Sequence, residues 1–224
     1  MSLDSPEVPL WERRNQCLDA LAAAAPERAV TLVAASKRQP DDRIDAALAA
    51  GQRVFGENRV QEAQARWIHR RESRPDLRLH LIGPLQTNKV DDAVALFDVI
   101  ETLDRPKLAR ALAVAMEKHG RRLVCFIQVN TGEEPQKAGV VPGDLGALHQ
   151  FATGECGLQV SGLMCIPPAG EPAAPHFALL AKLSGELGLA GLSMGMSGDF
   201  ELAARMGATH VRIGSRFFGE RLPV

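Results

Sequence analysis

Eight short apolar runs recur along the 224 residues, and stretches of helical periodicity separate them. This alternation constrains the fold more than any other feature of the chain. The strand-like runs are Val30–Ser36, Arg53–Phe55, Leu77–Ile82, Val99–Glu101, Leu123–Val129, Leu158–Ile166, Gly191–Met194 and Thr209–Ile213. The intervening stretches predict helices over Pro40–Ala50, Asn58–Arg70, Asn88–Leu96, Arg105–His119, Pro142–Phe151, Pro172–Leu187 and Gly198–Met206. In the fourth of these, Leu108, Ala111, Leu112, Ala115 and Met116 share one face and Gly120 follows the end. Strands that alternate with helices pair in parallel, because each crossover returns the chain to the same end of the sheet. Eight such units within about 195 residues predict a closed α/β architecture. The expectation is a single (β/α)8 TIM barrel domain over residues 1–224, with an extra N-terminal helix around Pro9–Ala24. A doubly wound open sheet is the alternative. Pro167–Pro175 reads as a long loop, not a domain boundary.

The formal net charge of −1 offers nothing to hold nucleic acid or an anionic membrane. No apolar run reaches the roughly 18 residues of a membrane span. Met1 to Arg14 carries Asp4, Glu7 and Glu12 without an apolar stretch, so no signal peptide is expected. Cys17, Cys125, Cys156 and Cys165 make no C-x-x-C pair and no metal spacing. Cys125 and Cys165 lie in apolar runs and read as buried thiols, which suits a reducing, cytoplasmic location.

In a barrel of this type the chemistry sits where strands end and loops begin. Ser36-Lys37 follows the first strand and Gly56-Glu57-Asn58 the second. Met196-Ser197-Gly198 follows the seventh and Gly214-Ser215 the eighth. Alone, either Gly/Ser loop reads as an ordinary turn or cap. Both together, after strands seven and eight, point to a phosphate. Lys37 would emerge beside them, because closure makes strand one the neighbour of strand eight. A partly desolvated lysine is a nucleophile for a carbonyl, so an aldehyde carrying a phosphate is a natural ligand. Arg212 stands between Val211 and Ile213, facing either the barrel mouth or a surface ion pair. His80 and His210 read as satisfied core or shell residues, and Lys89 and Lys137 as rim residues. No metal-ligand cluster or Ser-His-Asp motif is visible.

These residues resemble the pyridoxal phosphate homeostasis protein family, whose members look like the barrel domain of alanine racemase without its second domain. The similarity lies in Ala35-Ser36-Lys37, Phe55-Gly56-Glu57-Asn58, the run from His80 to Lys89, Gly162-Leu163-Met164, Leu192 to Ser197, and Val211 to Ser215. It covers about Val30 to Glu220. The resemblance implies pyridoxal 5′-phosphate (PLP) held as a Schiff base (aldimine) on Lys37. It implies phosphate contacts from Ser197, Gly214 and Ser215, Arg212 at the pyridine nitrogen, and Asn58 near the cofactor. Arg59 and the stretch Gln136-Lys137-Ala138 depart from the family pattern, which bears on rim contacts. Alanine racemase adds a tyrosine as its second acid–base, and this chain contains none. The implied role is therefore PLP homeostasis in vitamin B6 balance, by a monomer that transiently meets PLP-dependent apoenzymes. A racemase-like PLP enzyme of weak activity and a Schiff-base aldolase on a sugar phosphate are the alternatives.

Overall fold

The computed structural model describes residues 8–219. The first seven residues of the leader reading and Glu220, the end of the family similarity, lie outside this range. Eight parallel strands close into a barrel in sequence order. They are β1 (Thr31–Ala35), β2 (Val54–Glu57), β3 (Arg78–Leu81), β4 (Val99–Leu103), β5 (Val124–Val129), β6 (Gln159–Cys165), β7 (Gly191–Ser193) and β8 (His210–Ile213). β8 pairs with β1 through Val33 opposite Arg212 and Ala34 opposite Ile213. That pairing closes the barrel and excludes the open sheet.

Helix α1 (Leu10–Ala24) precedes the barrel. The connecting helices are α2 (Asp41–Ala49), α3 (Val60–Glu72), α4 (Val90–Leu96), α5 (Pro106–Lys118), α6 (Leu145–Gln150), α7 (Ala173–Glu186) and α8 (Phe200–Arg205). A last short helix, α9 (Ser215–Phe218), follows β8 and carries no periodicity in the sequence. The predicted helix Pro142–Phe151 is composite: a 3-10 turn leads into α6, and a π-helical turn, Phe151–Glu155, extends past it. Gly198 and Asp199 lie ahead of α8 rather than inside it, because the Asp199 carboxylate accepts the Met196 N–H at 2.6 Å and shapes a turn there.

Successive strand side chains point to opposite faces, and the barrel uses both. Outward residues such as Leu32, Ala34, Phe55, Leu79, Ile100, Ile127, Leu163, Val211 and Ile213 join the helices in one continuous apolar core. Trp67 of α3 is fully buried in it, its ring centroid 4.6 Å from that of Phe55. Cys125 and Cys165 are buried there too, and burial pushes both thiols up to about 12. Helix α1 packs on α2, α8 and α9, covering the seam where β8 meets β1.

Val33, Ile82, Phe126 and Met164 are buried outside that continuous core, on the strand face that alternation turns inward. Gly191 makes room for the Phe126 ring, and Gly162 makes room for the Gly191 backbone. A Cβ on Gly191 would lie 2.8 Å from the ring, and one on Gly162 would lie 2.3 Å from the Gly191 carbonyl oxygen. The atoms nearest Gly162 are all backbone, so they cannot swing away. Gly162→Ala is expected to destabilise the protein by about 1–3 kcal/mol, the usual range for overpacking. Urea unfolding against wild type checks this, and an unchanged midpoint would contradict it.

Candidate functional site at the barrel mouth

Each proposed site residue stands at the C-terminal end of one of four consecutive strands, β7, β8, β1 and β2. Pairing of Ala34 with Phe55 and Ala35 with Gly56 sets the first half. Continued by two residues, that register puts Ser36 beside Glu57 and Lys37 beside Asn58. By alternation Ser36 and Glu57 face the helix layer while Lys37 and Asn58 face the mouth. The contacts agree. Ser36 Oγ donates to Glu57 Oε1 at 2.8 Å in the buried layer. Lys37 and Asn58 line one cleft of about 250 Å³ with Arg38, Arg59 and Glu62. Asn58 Oδ1 is buried with no hydrogen-bond partner.

On the other side, Ser197 Oγ accepts the backbone N–H of Gly214 at 3.2 Å and of Arg216 at 3.3 Å. Gly195 lets this loop run close to α8: its φ is +93°, and a Cβ there would meet that of Ala203 at 2.5 Å. Sequence reasoning named Ser197, Gly214 and Ser215 for this corner. The structure joins the first two, while Ser215 opens α9 in an exposed position and the N–H of Arg216 converges instead. The sign was available in principle, since the first N–H groups of any helical turn lack partners within it. Gly214 reaches β1: a Cβ on it would lie 3.6 Å from the Ala35 carbonyl oxygen.

Arg212 faces inward and is buried, which settles its two readings. One guanidinium nitrogen donates to Ser193 Oγ at 2.6 Å and another to the Cys165 carbonyl at 2.8 Å. Ser193 Oγ donates onward to Glu101 Oε2 at 2.6 Å, which lies 3.9 Å from the guanidinium. The other carboxylate oxygen, Glu101 Oε1, is 2.6 Å from His80 Nδ1. His80 is thus a satisfied buried histidine, as expected. Burial would raise the Glu101 carboxyl, but the His80 hydrogen bond and charge, Arg212 and Ser193 outweigh it and hold the carboxyl down to about 2. Glu101 escaped the sequence reading although it carries the same signal as Arg212, a charge inside an apolar strand.

A second buried acid lies under the Lys37 turn. Glu57 Oε1 accepts from Ser36, from Arg66 Nη1 at 2.7 Å and from Trp67 Nε1 at 2.9 Å. Neither Glu57 nor Arg66 stood out in the sequence, because a Glu before a loop and an Arg within a helix are ordinary there. Of the two rim lysines, Lys137 pairs with Glu134 at 2.5 Å and Lys89 lines a separate cleft with Asn58 and Gln86. Among the described residues no group of three His, Cys, Asp or Glu could hold a metal ion. No described helix is long and apolar enough to cross a membrane.

Comparison with known proteins gives this mouth its context. The model of the alanine racemase N-terminal domain family matches residues 16–222. A pyridoxal phosphate homeostasis protein of Vibrio cholerae is 41% identical over 202 residues, which cover 86% of each chain. The chain belongs to the pyridoxal phosphate homeostasis protein family. PipY of Synechococcus elongatus, solved with PLP bound, superposes with a TM-score of 0.83 at 39% identity, covering 94% of this chain and all of PipY. An alanine racemase of Clostridium difficile shares the fold alone, with a TM-score of 0.71 at 14% identity over 98% of this chain and 61% of its own.

The buried network also ties stability to pH. Burial, with the charges of His80 and Arg212, pushes His210 down to about 4 from its ordinary 6.5 against the opposing pull of Glu101. The unfolded chain therefore takes up the proton first as pH falls. Stability is whole above pH 6.5 and declines toward pH 4, by at most about 3 kcal/mol from this residue. Glu101 adds loss in the same direction between 4.5 and about 2. The thermal midpoint is expected to drop between about pH 7 and pH 4.5, and His210→Gln to flatten that drop. An equal slope in the variant would remove His210 from the account.

Proposed function

We propose that this protein binds PLP covalently through Lys37 and serves in PLP homeostasis, holding and releasing the cofactor without turning substrates over. The observation that carries the reading is the set of complementary groups on four consecutive strand ends. They are an amine at Lys37, a buried unpartnered acceptor at Asn58, a buried cation at Arg212, and two N–H groups converging on Ser197.

These groups fit the parts of the cofactor. Ser197 accepts two N–H groups and keeps its own hydrogen to donate to a phosphate oxygen. The Gly214 and Arg216 N–H groups hold that hydroxyl in place, and Ser215 lies at the edge of this corner. Arg212 takes the ring nitrogen in this reading. A guanidinium keeps its protons at any physiological pH, so the ring nitrogen stays unprotonated. When bound, PLP supplies an aldehyde carbon and a ring that, without a proton on its nitrogen, withdraws electrons weakly. Glu101 and Ser193 hold the guanidinium in its orientation. The sequence contains no tyrosine to act as the second acid–base of an alanine racemase. Family membership favours the cofactor over a sugar phosphate as the ligand of the lysine. In this reading the protein works as a cytoplasmic monomer, and PLP-dependent apoenzymes are the acceptors of what it releases.

Titration of the purified protein with PLP, followed in the visible, tests the proposal. Wild type is expected to develop a saturable band and Lys37→Ala to lack it. Ser197→Ala is expected to keep the band at an affinity weaker by about tenfold or more, the scale of one charge-assisted hydrogen bond. A band that survives Lys37→Ala unchanged would reject the proposal.

A further inference from the structure

Lys37 lies in a tight turn that its own residues close with a single bond. The Gln39 N–H donates to the Ser36 carbonyl at 3.1 Å, leaving Lys37 and Arg38 as the two central residues. Arg38 sits at φ +57°, a left-handed conformation that a residue with a side chain rarely keeps unless its surroundings hold it there. What surrounds this turn is Arg66 of α3. Its Nη1 donates to the Ser36 carbonyl at 3.0 Å and its Nη2 to the Gln39 carbonyl at 2.8 Å. One planar guanidinium thus grips the first and last residues of the turn at once.

The grip has its own anchor. Arg66 Nη1 also donates to Glu57 Oε1, which is fully buried and receives Ser36 Oγ and Trp67 Nε1 as well. Three donors, Ser36, Trp67 and Arg66, fix the Oε1 end of Glu57, while Oε2 is buried with no hydrogen-bond partner. Lys37 follows Ser36 and Asn58 follows Glu57, and alternation sends both to the mouth. A pair on the outer face of the barrel wall therefore sets the position of a pair on its inner face. The geometry suits arginine alone: a lysine ammonium is a point donor and cannot span two carbonyls and a carboxylate in one plane.

We infer that Arg66 and Glu57 are positioning residues for Lys37, clamping the turn from behind the barrel wall so that the amine is presented to the aldehyde in one orientation. The inference rests on the reading that Lys37 is the covalent attachment point. Neither residue touches the ligand in this account. The clamp lowers the cost of ordering the lysine at the moment of binding.

Amide hydrogen exchange of the protein without cofactor tests the clamp independently of PLP. In Arg66→Lys the Gln39 amide is expected to exchange about tenfold or more faster, while amides in β5 and β6 keep their rates. PLP titration of the same variant is expected to show affinity weakened about tenfold or more, and a pH midpoint of the visible band displaced from that of wild type. A general loss of stability would raise exchange throughout and leave that midpoint in place. Ser36→Ala is the gentler variant, since Arg66 and Trp67 still donate to Glu57 Oε1. It is expected to move the Gln39 amide and the affinity the same way by a smaller factor, and it decides the matter if Arg66→Lys does not fold. Unchanged Gln39 exchange in the variant that folds would overturn the clamp. Faster Gln39 exchange in a protein whose PLP band survives Lys37→Ala would leave the clamp standing and overturn the attachment site instead.

Discussion

A carboxylate cut off from water must find its compensation among protein groups, and two fully buried carboxylates shape this molecule. Glu101, inside the barrel, draws in His80, Ser193 and, through them, Arg212. Glu57, between sheet and helices, draws in Ser36, Arg66 and Trp67. Removing Glu101 would leave the buried Arg212 without its carboxylate, and removing Glu57 would leave Arg66 only backbone carbonyls. Their outputs meet at the mouth, where the first orients a guanidinium and the second orients a lysine.

Closure of the sheet is what lets two separate networks serve one site. Strands β8 and β1 are far apart in the chain and become direct neighbours only because the barrel closes. Alternation then divides the labour. Outward residues at the strand ends tie the mouth to the helix layer, and inward residues face the barrel mouth. The apolar core supplies the stability, and the polar strand residues fix where the functional groups point.

Much of this was legible in the sequence. Eight apolar runs with helical stretches between them suffice for the barrel, because parallel crossovers and their number leave few other arrangements. Lys37, Asn58, Ser197, Arg212 and Gly214 were legible because each follows or ends an apolar strand, where this fold places its chemistry. Arg216 was hidden, since its contribution is a backbone N–H that any residue could provide. Glu101 and Arg212 are opposite charges in two apolar strands, and their pairing could have been anticipated. Glu57 and Arg66 could not. They stand nine residues apart on different elements, and only the docking of α3 on β2 brings them together. The π-helical turn after α6 and the short helix α9 lacked a signal for the same reason, being set by packing rather than by periodicity.

The central claim is that one particular lysine among several at the mouth carries the cofactor. Borohydride reduction of the PLP-saturated protein, followed by proteolysis and mass mapping, tests it most directly. The account predicts a single reduced adduct, on the peptide that contains Lys37. An adduct on Lys89 or Lys137 with Lys37 unmodified, or no adduct at saturation, would contradict it.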